Sequence, residues 1–476
     1  MVGLFGRVNY NYMQKYFASI TVRRDASSKF GENVRWATFP SYAIGYTFSE
    51  EPFMDWSRGW LDFGKIRASY GKSGKQFDQP YISHGLLTIS SPFLGHPTVQ
   101  PEWLEGLMND RLTWEETDQY DLGLDLDLFD HRLNVTVDYY YRLTDKLLYN
   151  ITLPGNYSGY ERQWQNAYAI VNSGIEFMVK WDIFRKEGFT WDMSFNIARN
   201  WNKLKKSTNG MDFQNVNGSE NFSNNLSIIG KALNGIYVYK TDGYYNNQTE
   251  IPYYYANGTK TYLYGSNETQ YYRPGDRVIA DVDGNGQINV LQPSQDDRIY
   301  GGSPLPEASG GITSSLSWKG FDLNLLFSFV IRRHILNAGR GASVGTRVGM
   351  KIEDTTTPVY IDPDKLTFWK KAGDRSNFPI NRVESGLFNF ATNLDSNVEN
   401  VSYIKLKTIT LGYTLPDVIM KPIGINARLF FSAENVFTLD NYSGPDPERV
   451  DLVTGIDDFG TYPLAKRFTL GLTVNF

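Results

Sequence analysis

The sequence predicts an all-β protein, an antiparallel transmembrane β-barrel of about thirteen strands. Three observations carry this. Apolar and polar residues alternate with a period of two, short connections alternate with long ones, and many aromatic residues sit in a chain of low mean hydropathy.

The alternation is cleanest at the end of the chain, where Phe468, Leu470, Leu472, Val474 and Phe476 interleave with Thr469, Gly471, Thr473 and Asn475. It recurs in Tyr120, Leu122, Leu124, Leu126 and Leu128 against Asp121, Gly123, Asp125 and Asp127, and again in Leu133, Val135, Val137, Tyr139 and Tyr141. One face is too apolar for water and the other too polar for a core. Alternation and turn residues place strands near 4–11, 15–24, 38–48, 61–72, 116–128, 133–145, 171–181, 189–201, 308–318, 321–330, 403–414, 425–436 and 467–476. In the 403–414 strand the apolar phase switches between Leu406 and Ile409, which predicts a β-bulge near Lys407.

Tight links at 12–14, 129–132, 186–188 and 319–320 alternate with long ones, and the longest loops are expected near 73–115, 202–307 and 331–402. Outer-membrane barrels have this asymmetry, with short turns at the periplasm and long loops outside. The links at 49–60 and 415–424 fall in the short series. An odd number of strands that both begins and ends on a downward strand implies further strands before Met1, because single-chain bacterial barrels normally close with an even number.

Composition agrees. The chain has 476 residues with 32 Tyr and 29 Phe, a net charge of -5 and no Cys, so thiolate chemistry, disulfides and nucleic-acid binding are not expected. Mean hydropathy is -0.41. No stretch reaches the roughly 18 apolar residues of a transmembrane helix, and the strongest, 323–335, is broken by Asn324, Ser328, Arg332 and Arg333. Residues 1–9 lack the apolar core of a secretory signal. Either the chain stays in the cytosol or Met1 lies inside a longer protein, and the strand parity favours the second.

Particular residues resemble a known family. They are the opening 4–10, Lys15-Tyr16, 23–31 and 36–41, then Arg67-Ala68-Ser69-Tyr70-Gly71, 112–115 with 123–125, and Asp138-Tyr139-Tyr140. In the same order follow 239–243, 281–286, 296–298, 405–407 with 411–413, and Glu434-Asn435-Val436-Phe437. Together they resemble the SusC/RagA-like TonB-dependent outer-membrane transporters. The resemblance implies a plugged barrel of about twenty-two strands in the cell outer membrane, of which this chain is expected to be the C-terminal portion, an incomplete barrel with no plug domain. It also implies energy from the TonB complex through a region preceding this chain, a SusD-like surface lipoprotein as partner, and an oligosaccharide or peptide as substrate.

Candidate sites follow. Phe468, Leu470, Leu472, Val474 and Phe476 form an apolar terminal strand that resembles the signal read by the barrel-assembly machinery. Asp281, Asp283, Asn285 and Gly286 reproduce the start of a calcium loop, for which Gln287 and Asp296 are further candidate ligands, although Gln292 stands where a closing acid is expected. Asx turns alone would give the same pattern. Tyr244, Tyr245, Tyr254, Tyr262 and Tyr271 lie in the longest loop, where ring faces suit sugar binding, or equally the packing of that loop. Calcium is the one cofactor suggested. No catalytic constellation is found: His84, His96, His131 and His334 are scattered, so no enzymatic activity is expected. The rival reading is a soluble or surface β-rich module that binds or hydrolyses carbohydrate.

Overall fold

A computed structural model describes the chain except residues 78–80, 86, 102–106, 154–158, 208–212, 216–224, 252, 257–258, 263–271, 285–287, 289–296, 341–366, 381–388, 390, 421, 423, 458–461 and 476. Thirteen strands follow one another in sequence order across one sheet, each antiparallel to the next. They are β1 Val2–Tyr12, β2 Tyr16–Ala26, β3 Trp36–Thr47, β4 Leu61–Lys75, β5 Glu115–Leu128, β6 Leu133–Thr152 and β7 Arg162–Lys186. Then come β8 Phe189–Ser207, β9 Ala308–Trp318, β10 Phe321–Asn337, β11 Val398–Thr414, β12 Asn426–Asp440 and β13 Arg467–Asn475. A two-residue strand, Ile456–Asp457, adds a parallel pairing at the end of β10.

The short turns owe their form to local residues. Met13 and Gln14 take positive φ, and Lys319-Gly320 forms a two-residue hairpin with φ of 46° and 92°, the left-handed conformation that matches strand twist. Between β5 and β6, three consecutive residues from Phe129 to His131 are left-handed. Arg132 fastens that turn by donating to the carbonyls of Asp182 and Ile183.

Several strands outrun their predicted ends. β7 holds 25 residues, roughly 80 Å at about 3.3 Å per residue, far more than the roughly 10 residues that cross a bilayer. Its extension, and that of β10, buries both faces: Ala167, Tyr168, Ala169 and Val171 are covered on β7, Ile335 and Leu336 on β10. Alternation vanishes where there is no lipid on one side, which is why the sequence hides these extensions. The bulge is where the parity change puts it. Lys407 is skipped in both ladders of β11, as pairing passes from Thr408 to Leu406 against Leu326 and Phe327 on β10 and against Glu434 and Phe437 on β12.

Among the described residues β1 pairs only with β2, β13 only with β12, and no ladder joins β1 to β13. The sheet is therefore open, with two edges. The connections 76–114, 208–307 and 338–397 all leave from the end opposite the short turns; the last two share one small apolar core, and the first packs Phe77, Ile82 and Leu112 against Phe30 and Phe39.

Candidate functional site: the inner wall and the outer loops

Register assigns every strand residue to one of two faces. On the outer face Tyr42, Tyr70, Tyr120 and Tyr141 lie opposite one another on β3 to β6, and Leu411, Phe431 and Leu470 do so on β11 to β13. Ile44, Ile66, Leu122, Leu429 and Leu472 stand exposed there with no protein cover. An apolar band of this extent in contact with water would be strongly unfavourable, so it is a lipid face. Near the short turns it becomes aromatic: Tyr16 and Tyr46 stack at 5.3 Å, Phe184 and Trp191 stack at 6.1 Å, and the tilted rings of Phe321 and Tyr413 meet at 4.4 Å. Such girdles mark the membrane–water boundary.

The inner face is polar and cross-linked. Arg67 on β4 donates to Asp125 on β5 at 2.6 Å and, passing over Gly123, to Asp138 on β6 at 2.9 Å. A Cβ at Gly123 would sit 2.6 Å from Arg67 Cζ, so the glycine is what lets the guanidinium lie across its strand. The same arrangement recurs where Tyr140 crosses Gly174 to donate to Asn200 at 2.9 Å, and where Arg428 crosses Gly412 to Asp322. Beside Arg67 an open groove of about 680 Å³ is lined by polar side chains, among them Gln119, Asp121, Arg142, Glu176 and Asn200. Such a wall can hold water and hydrogen-bond a polar solute at many weak points.

At the loop end a clasp holds residues 441–457 over β10 and β11. The fully buried Arg333 donates to the carbonyls of Pro304, Val450 and Asp451, and Lys405 meets Asp446 at 3.0 Å and Glu448 at 2.9 Å. Tyr442 donates to Asp457, and burial with that carboxylate pushes its phenol upward. Sequence reading missed this clasp. Arg333 entered only as an interruption in an apolar run, although a cation in such a run is itself a signal of buried pairing.

The predicted site residues divide. Tyr245 is a core residue, 4% exposed beside Tyr239, Ile251, Tyr272, Ile279 and Leu394; burial, with Asp276 nearby, pushes its phenol up to about 12. Its expected role as an exposed ring platform is thus replaced by packing, because a ring enclosed on all sides offers no face to a sugar. Tyr244 is half-buried, donates to the Ser376 carbonyl at 3.3 Å and lies under the Arg277 guanidinium. Tyr254 and Tyr262 belong to a hairpin of 253–256 with 259–262, and Tyr271 lies outside the described residues. Asp281 and Asp283, exposed, gather with the buried Asp297, and one carboxylate oxygen from each lies within 4.8 Å of the others. That spacing and all-oxygen donor set suit a calcium ion bound at about 2.3–2.6 Å. Asn285, Gln287 and Asp296 fall outside the described residues, and Asp297 is the third acid. Phe468, Leu470 and Leu472 are exposed on the lipid face of β13 and Val474 is half-buried, whereas Phe476 lies outside the described residues.

A curved antiparallel sheet, apolar outside, polar and ion-paired within, short turns at one end and long loops at the other, defines an outer-membrane β-barrel protein. Residues 1–296 match the family described as TonB dependent receptor-like, beta-barrel, and the chain belongs to that family. It is 33% identical over 494 residues to TonB-dependent receptor P3 of Formosa agariphila, covering 100% of this chain and 45% of that protein. To TonB-dependent receptor SusC of Bacteroides thetaiotaomicron it is 28% identical, covering 100% and 44%. The RagAB peptide transporter structure superposes with a TM-score of 0.76 at 23% identity, over 99% of this chain and 47% of that one. The chain spans about half the length of the curated relatives it matches. Membership decides between the two sequence readings: the chain is wall of an outer-membrane barrel and not a soluble module.

Proposed function

We propose that the protein takes part in TonB-dependent uptake of oligosaccharides or peptides across the outer membrane, together with a SusD-like surface lipoprotein. The observation that carries this is the inner wall. Charged and amide side chains such as Arg67, Asp121, Arg142, Glu176 and Asn200 line a polar groove on the inner wall, a surface suited to binding hydrophilic solutes weakly and repeatedly. The peptide class is in the printed name of the similar RagAB peptide transporter, and the oligosaccharide class is the other that the SusC/RagA-like resemblance implies.

Interrupting the gene should abolish growth on, or uptake of, one class of oligosaccharide or peptide. Undiminished uptake of both classes would count against the proposal. Purification from native membranes in mild detergent should bring down a surface lipoprotein in near-equal amount, and a folded barrel recovered alone would remove the partner from the reading.

We further propose that the Asp281, Asp283 and Asp297 carboxylates hold calcium and order the loop around them. The Tyr244 region and the 253–262 hairpin are proposed to face the substrate, and the apolar face of β13 to serve barrel assembly.

A further inference from the structure

On the short-turn side two connections are not tight, 415–425 between β11 and β12 and 48–60 between β3 and β4. Those between β1 and β2, β5 and β6, β7 and β8, and β9 and β10 are tight, whereas residues 48–60 form two 3-10 turns, Phe48–Glu50 and Pro52–Ser57. This segment folds back against the outer side of the sheet. Tyr16, which pairs with Tyr46 on the outer face, donates to Glu51 Oε1 at 2.6 Å, and Lys15 donates to the Glu50 carbonyl at 2.5 Å. The Phe48 ring covers Gly64, which shares the outward row of β4 with Ile66 and Tyr70; a Cβ at Gly64 would lie 2.5 Å from Phe48 Cζ. Three contacts thus hold the turn beneath the lipid side of the wall, not beneath the lumen.

Three of its large apolar side chains are nevertheless exposed. Phe53 is 63% exposed, Trp56 71% and Trp60 40%, with the two indoles 5.9 Å apart. The backbone, by contrast, is internally paired: Glu51 N–H donates to Phe48, Met54 to Glu51 and Trp60 to Ser57. Paired backbone with bare aromatic side chains is what a segment needs to enter the edge of a bilayer, where unpaired peptide groups are costly and indoles are favoured.

We propose that residues 48–60 are an interfacial anchor that lays Phe53, Trp56 and Trp60 into the headgroup region of the periplasmic leaflet. The occupant of this surface is lipid. The argument is continuity: on the lipid face already described, the exposed Ile44 is followed toward the short turns by Tyr46, which lies opposite the exposed Ile66 and stacks on Tyr16, and Tyr16 is hydrogen-bonded to Glu51 of the turn itself. The ion pair of Asp55 and Arg58, 2.8 Å apart and exposed, supplies the polar side that stays among headgroups and water.

The chain contains no Cys, so a single introduced thiol reports one place. The membrane-inserted protein would carry a nitroxide in turn at Phe53→Cys, Trp56→Cys, Ile44→Cys as lipid reference and Asp130→Cys as aqueous reference, in vesicles of phosphatidylethanolamine and phosphatidylglycerol. At residues 53 and 56 the ratio of collisions with oxygen to collisions with a water-soluble nickel chelate should exceed that at 130 several-fold and approach that at 44. A ratio equal to that at 130 overturns the proposal. Because replacing an aromatic residue can itself lift the turn, a label at Asp55→Cys with Phe53, Trp56 and Trp60 intact provides the second reading. It should report headgroup depth and become aqueous when Phe53→Ser and Trp56→Ser are added; an aqueous value with the aromatics intact also overturns the proposal.

Discussion

Arg428 and Asp322 belong to strands that are not neighbours, yet they meet as a bidentate ion pair directly over Gly412 of the strand between them, with Nε to Oδ1 at 2.9 Å. A Cβ at Gly412 would lie 2.4 Å from both partners. Gly412→Ala is therefore expected to separate the pair and destabilise the sheet by about 1–3 kcal/mol, the range for overpacking a filled site. The denaturant midpoint of the membrane-inserted protein measures it. The combination of Gly412→Ala with Asp322→Ala should lose much less than the sum of its parts, and simple additivity would show that the glycine matters for some other reason.

Arg333 is enclosed by carbonyls from Pro304, Val450 and Asp451. Arg333→Met keeps the volume but leaves buried acceptors unpaired, at about 1–3 kcal/mol each. The expected result is release of residues 441–457, read as faster cleavage there by added protease while the β1–β9 region stays resistant. Unchanged cleavage would remove the clasp role.

Tyr442 gives a pH prediction. Its phenol is raised by burial and then by Asp457, so the folded form holds the proton more tightly than the unfolded one. The stability this contributes is fully present below about pH 10, the ordinary tyrosine value, and is lost as pH rises through the folded value. Protease sensitivity of residues 441–457 should climb above about pH 10. In Tyr442→Phe the loop should start somewhat weaker, lacking the bond to Asp457, and its alkaline climb should flatten. Identical alkaline profiles for the two proteins would refute this assignment.

For the acidic cluster, added calcium should protect residues 278–302 from proteolysis, and Asp281→Ala with Asp283→Ala should abolish the protection. If chelator and calcium give equal protection in the unsubstituted protein, the three carboxylates are held by turns alone.

The barrel wall was legible in the sequence because lipid imposes a rule on every second residue, so even the skipped Lys407 left a trace as a change of parity. The loops carry no such rule. Tyr245 and its neighbours read as a run of surface aromatics, and only the fold places Tyr245 against Tyr272 and Leu394, far apart in the chain. Glycines on the inner wall were visible, but their use was not: Gly123 and Gly412 are explained by side chains on strands whose pairing the sequence does not state. Asp297 joined Asp281 and Asp283 for the same reason, since closeness across a loop has no periodic signature.

Tyr239 and Leu394 form a bridge between two of the long connections, with the Tyr239 N–H donating to Asn393 at 2.9 Å, and both residues sit in one apolar cluster with Tyr245, Tyr272 and Ile279. Separating the two loops would expose that cluster to water, at a few tens of cal/mol for each Å² uncovered. The described parts of the two connections are therefore held as one piece rather than as independent fingers. Displacing one of them while the other stays would break the Tyr239–Asn393 hydrogen bond and open the cluster, so the two segments move together or not at all.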